Sequence, residues 1–190
     1  TWPLRHHTAG YRLDIVDEPA ADGRPAATVI TAEWTEHGRP GHLDVRIDQP
    51  AGHESLNVVI PWSSTAFQYT SKHQARPAHG TFSIGGTTHQ IGGGAGGAGG
   101  DGAGGEADGG EAWGVLDVGR GRWPYRTRWN WGGGAGTATE GETVVGIQIG
   151  GKWTEGTGHT ENGMIVDGRL HKIGQELTWT YSWDDPLAPW

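Results

Sequence analysis

Apolar and polar residues alternate with a period of two along much of this chain, and no stretch carries the apolar stripe of an amphipathic helix. A period of two means extended backbone, because successive side chains of a strand point to opposite faces. In residues 43–48 (LDVRID), Leu43, Val45 and Ile47 share one face, with Asp44, Arg46 and Asp48 opposite. Residues 28–34 (TVITAEW) and 143–149 (TVVGIQI) alternate in the same way, and residues 55–62 (SLNVVIPW) read as a more buried strand ending near Pro61. Residues 176–183 (ELTWTYSW) put Leu177, Trp179, Tyr181 and Trp183 on one face, which predicts a half-buried antiparallel strand. Gly85-Gly86 and Asp167-Gly168 each separate two such runs, and both dipeptides suit the positive φ of a two-residue hairpin turn. Residues 18–25 (EPAADGRP) read as a polar loop. Short strands punctuated by turns predict an all-β, antiparallel fold, either a barrel or a strongly curved β-sandwich.

The chain has 190 residues, enough for a single all-β domain over 1–190. Only 34% of residues are hydrophobic, yet there are 11 tryptophans, so apolar mass is concentrated in a few large side chains. A formal net charge of −8 argues against nucleic acid as a partner. With no cysteine there is no disulfide framework and no thiolate chemistry. No apolar run reaches the ~20 residues needed to span a bilayer as a helix. The one methionine is Met164, so the chain lacks an initiator and reads as trimmed, processed or part of a longer protein. Composition leaves the compartment open, with the cytoplasm the favoured reading. Residues 92–110 (GGGAGGAGGDGAGGEADGG) cannot bury apolar surface and read as a flexible glycine-rich insertion.

Common catalytic signatures are missing. Residues 146–153 (GIQIGGKW) approach a phosphate-binding loop, but Trp153 stands where a magnesium-binding hydroxyl is needed and no helix follows. The ten histidines show no zinc-type pairing. His159 and Glu161 match the start of a deaminase signature whose two cysteines are absent. No nucleophile elbow is present. Neither a metal nor a cofactor is expected.

Three clusters remain. Residues 117–131 (DVGRGRWPYRTRWNW) combine Asp117, four arginines, Tyr125, Asn130 and three tryptophans. Taken as a strand from Arg126, one face carries Arg126, Arg128 and Asn130, and the other Thr127, Trp129 and Trp131. The row is either a charged surface over a tryptophan core or a pocket wall with Arg120, Arg126, Arg128, Trp123, Trp129, Asn130 and Trp131 toward a ligand. Residues 158–162 (GHTEN) are either a turn or a site where Glu161 acts as general acid or base with Asp117 or Arg120 near it, Asn162 binding and Tyr125 assisting. Residues 69–73 (YTSKH) are either a solvated strand end or an anchor made by Lys72 and His73.

Residues 61–82 (PWSSTAFQYTSKHQARPAHGTF), 114–131 (GVLDVGRGRWPYRTRWNW), 156–173 (GTGHTENGMIVDGRLHKI) and 184–190 (DDPLAPW) together resemble the bacterial family catalogued as domain of unknown function 2804. The resemblance implies a further N-terminal region, so that this chain is the C-terminal part of a longer architecture, with the glycine tract as an insertion. At the level of fold, the aromatic strand faces are similar to those of lipocalin-like proteins. The expected function is binding of an apolar or amphipathic small molecule, lipid or terpenoid-like, in a β-barrel cavity. Two alternatives stay open: a cofactor-free acid–base enzyme (hydratase, cyclase or isomerase) using Asp117, Glu161 and Tyr125, and a carbohydrate-binding or carbohydrate-active β-sandwich.

Overall fold

A computed structural model describes residues 3–93, 110–139, 142–182, 184–185 and 187. The fold is all-β, with antiparallel sheets, one of them strongly curled, and no helix among the described residues. No helix there is long and apolar enough to cross a membrane. Most of the glycine tract expected as an insertion lies outside the described residues. Contacts divide the chain into two compact units: residues 1–53 with 76–114, and residues 54–75 with 115–190.

The first unit is built from β1 (Leu4–Thr8), β2 (Tyr11–Glu18), β3 (Ala26–Glu36), β4 (Arg39–Gln49), the second half of β6 (Phe67–Ile84) and β7 (Thr87–Ile91), each antiparallel to its neighbour. The runs 28–34 and 43–48 fall inside β3 and β4, as their alternation predicts. Gly85-Gly86 closes the β6–β7 hairpin with Ile84 opposite Thr87 and positive φ at both glycines. The β3–β4 turn uses His37-Gly38 with the same backbone signs, φ 50 and 75. Ala27, Ala32, Val45 and Ala78 form the small apolar core. Trp34 lies flat over Gly41, where any Cβ would collide with the indole, and continues into a stacked row with Phe82 and His89.

The second unit contains β5 (Leu56–Pro61), the first half of β6, most of β8 (Trp113–Arg122), β9 (Asn130–Thr137), β10 (Val144–Gly151), β11 (Asn162–Val166) and β12 (Arg169–Ile173). Strand β5 pairs with β6, β8 also pairs with β6, and the last four strands form a sheet in the order β12-β11-β10-β9. Asp167 (φ 46) and Gly168 (φ 79) make the expected β11–β12 turn. Ala75 in β6 has φ 55, and Ala75 and Arg76 are buried in succession, so strict alternation breaks there as at a β-bulge. Leu56, Ile60, Ala75 and Ile165 are the buried apolar residues of this unit. Polar residues outnumber them, including Gln68, Thr70, Lys72, Gln74, Gln148, Glu161 and Asn162.

Two predicted strands differ from what is seen. Residues 176–182 form no strand ladder among the described residues, although Leu177, Trp179 and Tyr181 are half-buried and the residues between them exposed; residue 183 lies outside the described residues. The strand expected from Arg126 begins only at Asn130, after an irregular stretch over 123–129. In both places every second residue still faces the same way although no strand ladder is formed there among the described residues.

Candidate functional site

The site is built on the polar row of β6. Gln68, Thr70, Lys72 and Gln74 occupy alternate positions, so all four point to one side of the strand, and all four are buried. Buried polar groups need partners, and Gln68, Lys72 and Gln74 find them on other segments of the same unit, whereas Thr70 Oγ1 has none among the described residues. The Lys72 ammonium lies 2.5 Å from Asp117 Oδ2 on β8 and 3.1 Å from Glu161 Oε2, just before β11. Two carboxylate oxygens at these distances from one nitrogen are at most about 5.6 Å apart. Gln68 donates through Nε2 to Glu161 Oε1 at 2.7 Å and accepts from Trp123 Nε1. Farther along the row, Gln74 Nε2 and Trp131 Nε1 both donate to Gln148 Oε1, at 3.1 and 3.0 Å.

Exposure separates the roles of the three charges. The side chain of Glu161 is 0% exposed and that of Lys72 is 4% exposed, whereas Asp117 is 45% exposed. Asp117 therefore meets solvent, with a covered ion pair behind it. Lys172 lies within electrostatic reach of Glu161, donating to Thr160 Oγ1 at 2.6 Å and to the carbonyls of Ile173 and Asn162 at 2.8 and 3.1 Å. Burial lowers the Lys172 ammonium from its ordinary 10.5, and the charge of Glu161 opposes that shift.

Above this charged floor is a cavity of ≈ 540 Å³. Its walls are Val115, Gly119, Thr127, Trp123, Trp129, Trp131 and Trp153. On β8 the residues that face it are Val115, Asp117 and Gly119, every second position. Glycine at 121 lets β8 approach β6, because a Cβ there would collide with the Phe67 carbonyl. Trp153 packs over Gly150, and its carbonyl accepts from Trp62 Nε1 at 2.6 Å.

The cavity thus brings together six of the residues singled out in the sequence: Lys72, Asp117, Glu161, Trp123, Trp129 and Trp131. The others lie elsewhere. Arg120 takes the opposite parity from Asp117 on β8. Arg126 and Arg128 are exposed and flank the wall residue Thr127 without lining the cavity, and Tyr125 is 98% exposed. Asn130 opens β9 opposite Gly151. Asn162 is fully buried as a brace, accepting from Gly150 N at 2.6 Å and donating to Gln175 O at 3.1 Å. His73 lies on the far side of β6 from Lys72, its Nε2 3.0 Å from Ser71 Oγ. The unpredicted members are Gln68, Val115, Gly119, Thr127 and Trp153.

The family described as Domain of unknown function (DUF2804) matches residues 6–190. The chain belongs to this family. The match spans every residue of the cavity, so the tryptophan wall and the charged floor both lie within the DUF2804 domain. No curated protein and no solved structure matches the chain.

A second concavity, of ≈ 450 Å³, lies in the first unit over the hairpin ends, between Tyr11, Arg12, Glu33, Trp34 and His42. Its lining includes one tryptophan and no buried ion pair, unlike the cavity of the second unit.

Proposed function

We propose that this DUF2804 chain binds an amphipathic small molecule in the tryptophan-walled cavity of its second unit. The observation that carries the reading is the combination of four indole rings with one small polar cluster in a cavity of ≈ 540 Å³. Ligand pockets are commonly ~300–1,000 Å³, mostly apolar, with a few fixed polar groups. Trp129 is 65% exposed, and Trp123 and Trp131 are close to half exposed. Aromatic surface of that kind is favourable to cover. The indole N–H groups of Trp123 and Trp131 are already bonded to Gln68 and Gln148, so these rings are held in place before any ligand arrives. The test is displacement of a neutral fluorescent probe, N-phenyl-1-naphthylamine, by 1-decanol. Saturable probe binding that Trp129→Ala weakens is expected; unsaturable binding indifferent to that change would sink the reading.

A second reading is favoured by the shared ammonium. Asp117 and Glu161 on one lysine form a unit in which the exposed carboxylate gives or takes a proton and the covered pair fixes its position. Under this reading Asp117 is the acid–base group and Glu161 a positioning residue. Solvent deuterium incorporated into a bound molecule, and lost in Asp117→Asn, supports turnover; equal incorporation in the variant contradicts it.

A further inference from the structure

We infer that the molecule held by the tryptophan cavity is an amphipathic organic cation, an alkylammonium rather than a carboxylate or phosphate. The inference rests on the proposed binding function and narrows its ligand class. It starts from where the charges are. Four arginines in residues 117–131 suggest an anion site, yet none of them lines the cavity. Arg120 has the wrong parity on β8, and Arg126 and Arg128 alternate away from Thr127 and Trp129. The charged groups that do line it are Lys72, Asp117 and Glu161, one positive and two negative.

Accessibility sharpens the sign. Lys72 is almost wholly covered, with its ammonium engaged by both carboxylates, so it presents little positive charge to an incoming group. Lys172, the other cation near Glu161, is not a wall residue and spends its donors on Thr160 and two carbonyls. The one charged wall residue with substantial exposure is Asp117. An anionic head would meet that carboxylate with no cation other than the engaged Lys72 among the described wall residues, which is repulsive; a cationic head would meet an attractive partner.

The walls point the same way. The face of an indole carries negative potential, and tryptophan is the strongest aromatic partner for a cation. Four tryptophans line the same cavity as this carboxylate, and tryptophan is a residue that recognises quaternary ammonium groups. Tying the N–H edges of Trp123 and Trp131 to glutamines keeps the positive edges of those two rings engaged with protein. The remaining cavity, beside Val115, accommodates an alkyl chain.

Three probes of matched chain length test this: decyltrimethylammonium, 1-decanol and decanoate, each below its critical micelle concentration. Calorimetry reads the affinity, and circular dichroism confirms that the protein stays folded. The expected order is cation tightest, by about tenfold over the alcohol, and decanoate weakest. Asp117→Asn narrows the ratio between cation and alcohol, and Trp129→Ala does so from the other side of the cavity. If the alcohol or decanoate binds as tightly as the cation, the cation inference is overturned while the binding function stands. If none of the three binds, both fall together.

Discussion

Removing the Lys72 ammonium while keeping its stem, as in Lys72→Met, strands the Glu161 carboxylate in the interior. Glu161 is 0% exposed, and its Oε2 has only the ion pair to Lys72 at 3.1 Å, while Oε1 keeps the bond from Gln68. Breaking one side of a buried pair costs about 3–5 kcal/mol, because the surviving charge stays desolvated. The Gln68 donor and the field of Lys172 remain, so the low end, about 3 kcal/mol, applies. For a chain of this size each kcal/mol moves Tm by about 2–4 °C, so Lys72→Met lowers Tm by about 6–12 °C. Adding Glu161→Gln removes the stranded charge and recovers more than half of the loss. Glu161→Gln alone is milder, about 1–3 kcal/mol, since Lys72 retains half-exposed Asp117 at 2.5 Å. Thermal and urea unfolding of the wild type, both single variants and the double variant complete the cycle. A Lys72→Met cost below about 1 kcal/mol, or strict additivity of the two changes, would refute the buried-pair argument.

Other consequences can be checked separately. Trp129→Ala lowers ligand affinity by about tenfold or more but costs less than about 1 kcal/mol of stability, because the ring is 65% exposed; equal losses in both would contradict a binding role. Gly121→Ala forces β8 away from the Phe67 carbonyl and costs about 1–3 kcal/mol, with weaker probe binding because β8 carries Asp117; a variant as stable as wild type would show that β8 has room to shift. In the first unit, the hydrogen bond from His7 holds the Asp14 carboxylate below its ordinary 3.8, against the opposing effect of burial and with help from Arg12. That stabilisation is complete above pH 3.8 and is lost as pH falls through the lowered value. Asp14→Asn therefore reduces amide-exchange protection in β1–β2 near pH ~5, and the deficit shrinks as pH falls below 3.8; a deficit unchanged by pH would contradict the assignment.

The all-β architecture was legible because alternation is a local property. Residues 28–34, 43–48, 55–62 and 143–149 lie within or over β3, β4, β5 and β10, and the Gly-Gly and Asp-Gly dipeptides mark real turns. The same rule misplaced the strand after Arg126 and the strand over 176–183. Alternation reports which way side chains face, and it holds at Thr127/Trp129/Trp131 and at Leu177/Trp179/Tyr181; whether a partner strand lies alongside is decided by residues far away. His37-Gly38 escaped notice because histidine is a weak turn signal, although its backbone matches that of Asp167-Gly168.

The site was legible as ingredients only. Asp117, Glu161, Lys72 and the tryptophans stand out by type, but their meeting depends on the pairing of β8 with β6 and on the turn before β11. Lys72 reads as a solvated strand end from its polar neighbours, yet Gln68, Thr70, Lys72 and Gln74 form a buried row. That period-two polar row in the long β6 was the available signal for Gln68. Trp153 drew attention only as the residue spoiling a phosphate loop. The arginines misled because charge is conspicuous in sequence, while the parity that turns it outward is a property of the fold.

The indole N–H signals of the 11 tryptophans, followed by nitrogen-15 NMR during titration with decyltrimethylammonium, test the central claim most directly. The account predicts saturable shifts concentrated at Trp123, Trp129, Trp131 and Trp153, with Trp34 in the first unit unmoved. Shifts led by Trp34, or spread evenly without saturation, would contradict a ligand site in the cavity above Lys72, Asp117 and Glu161.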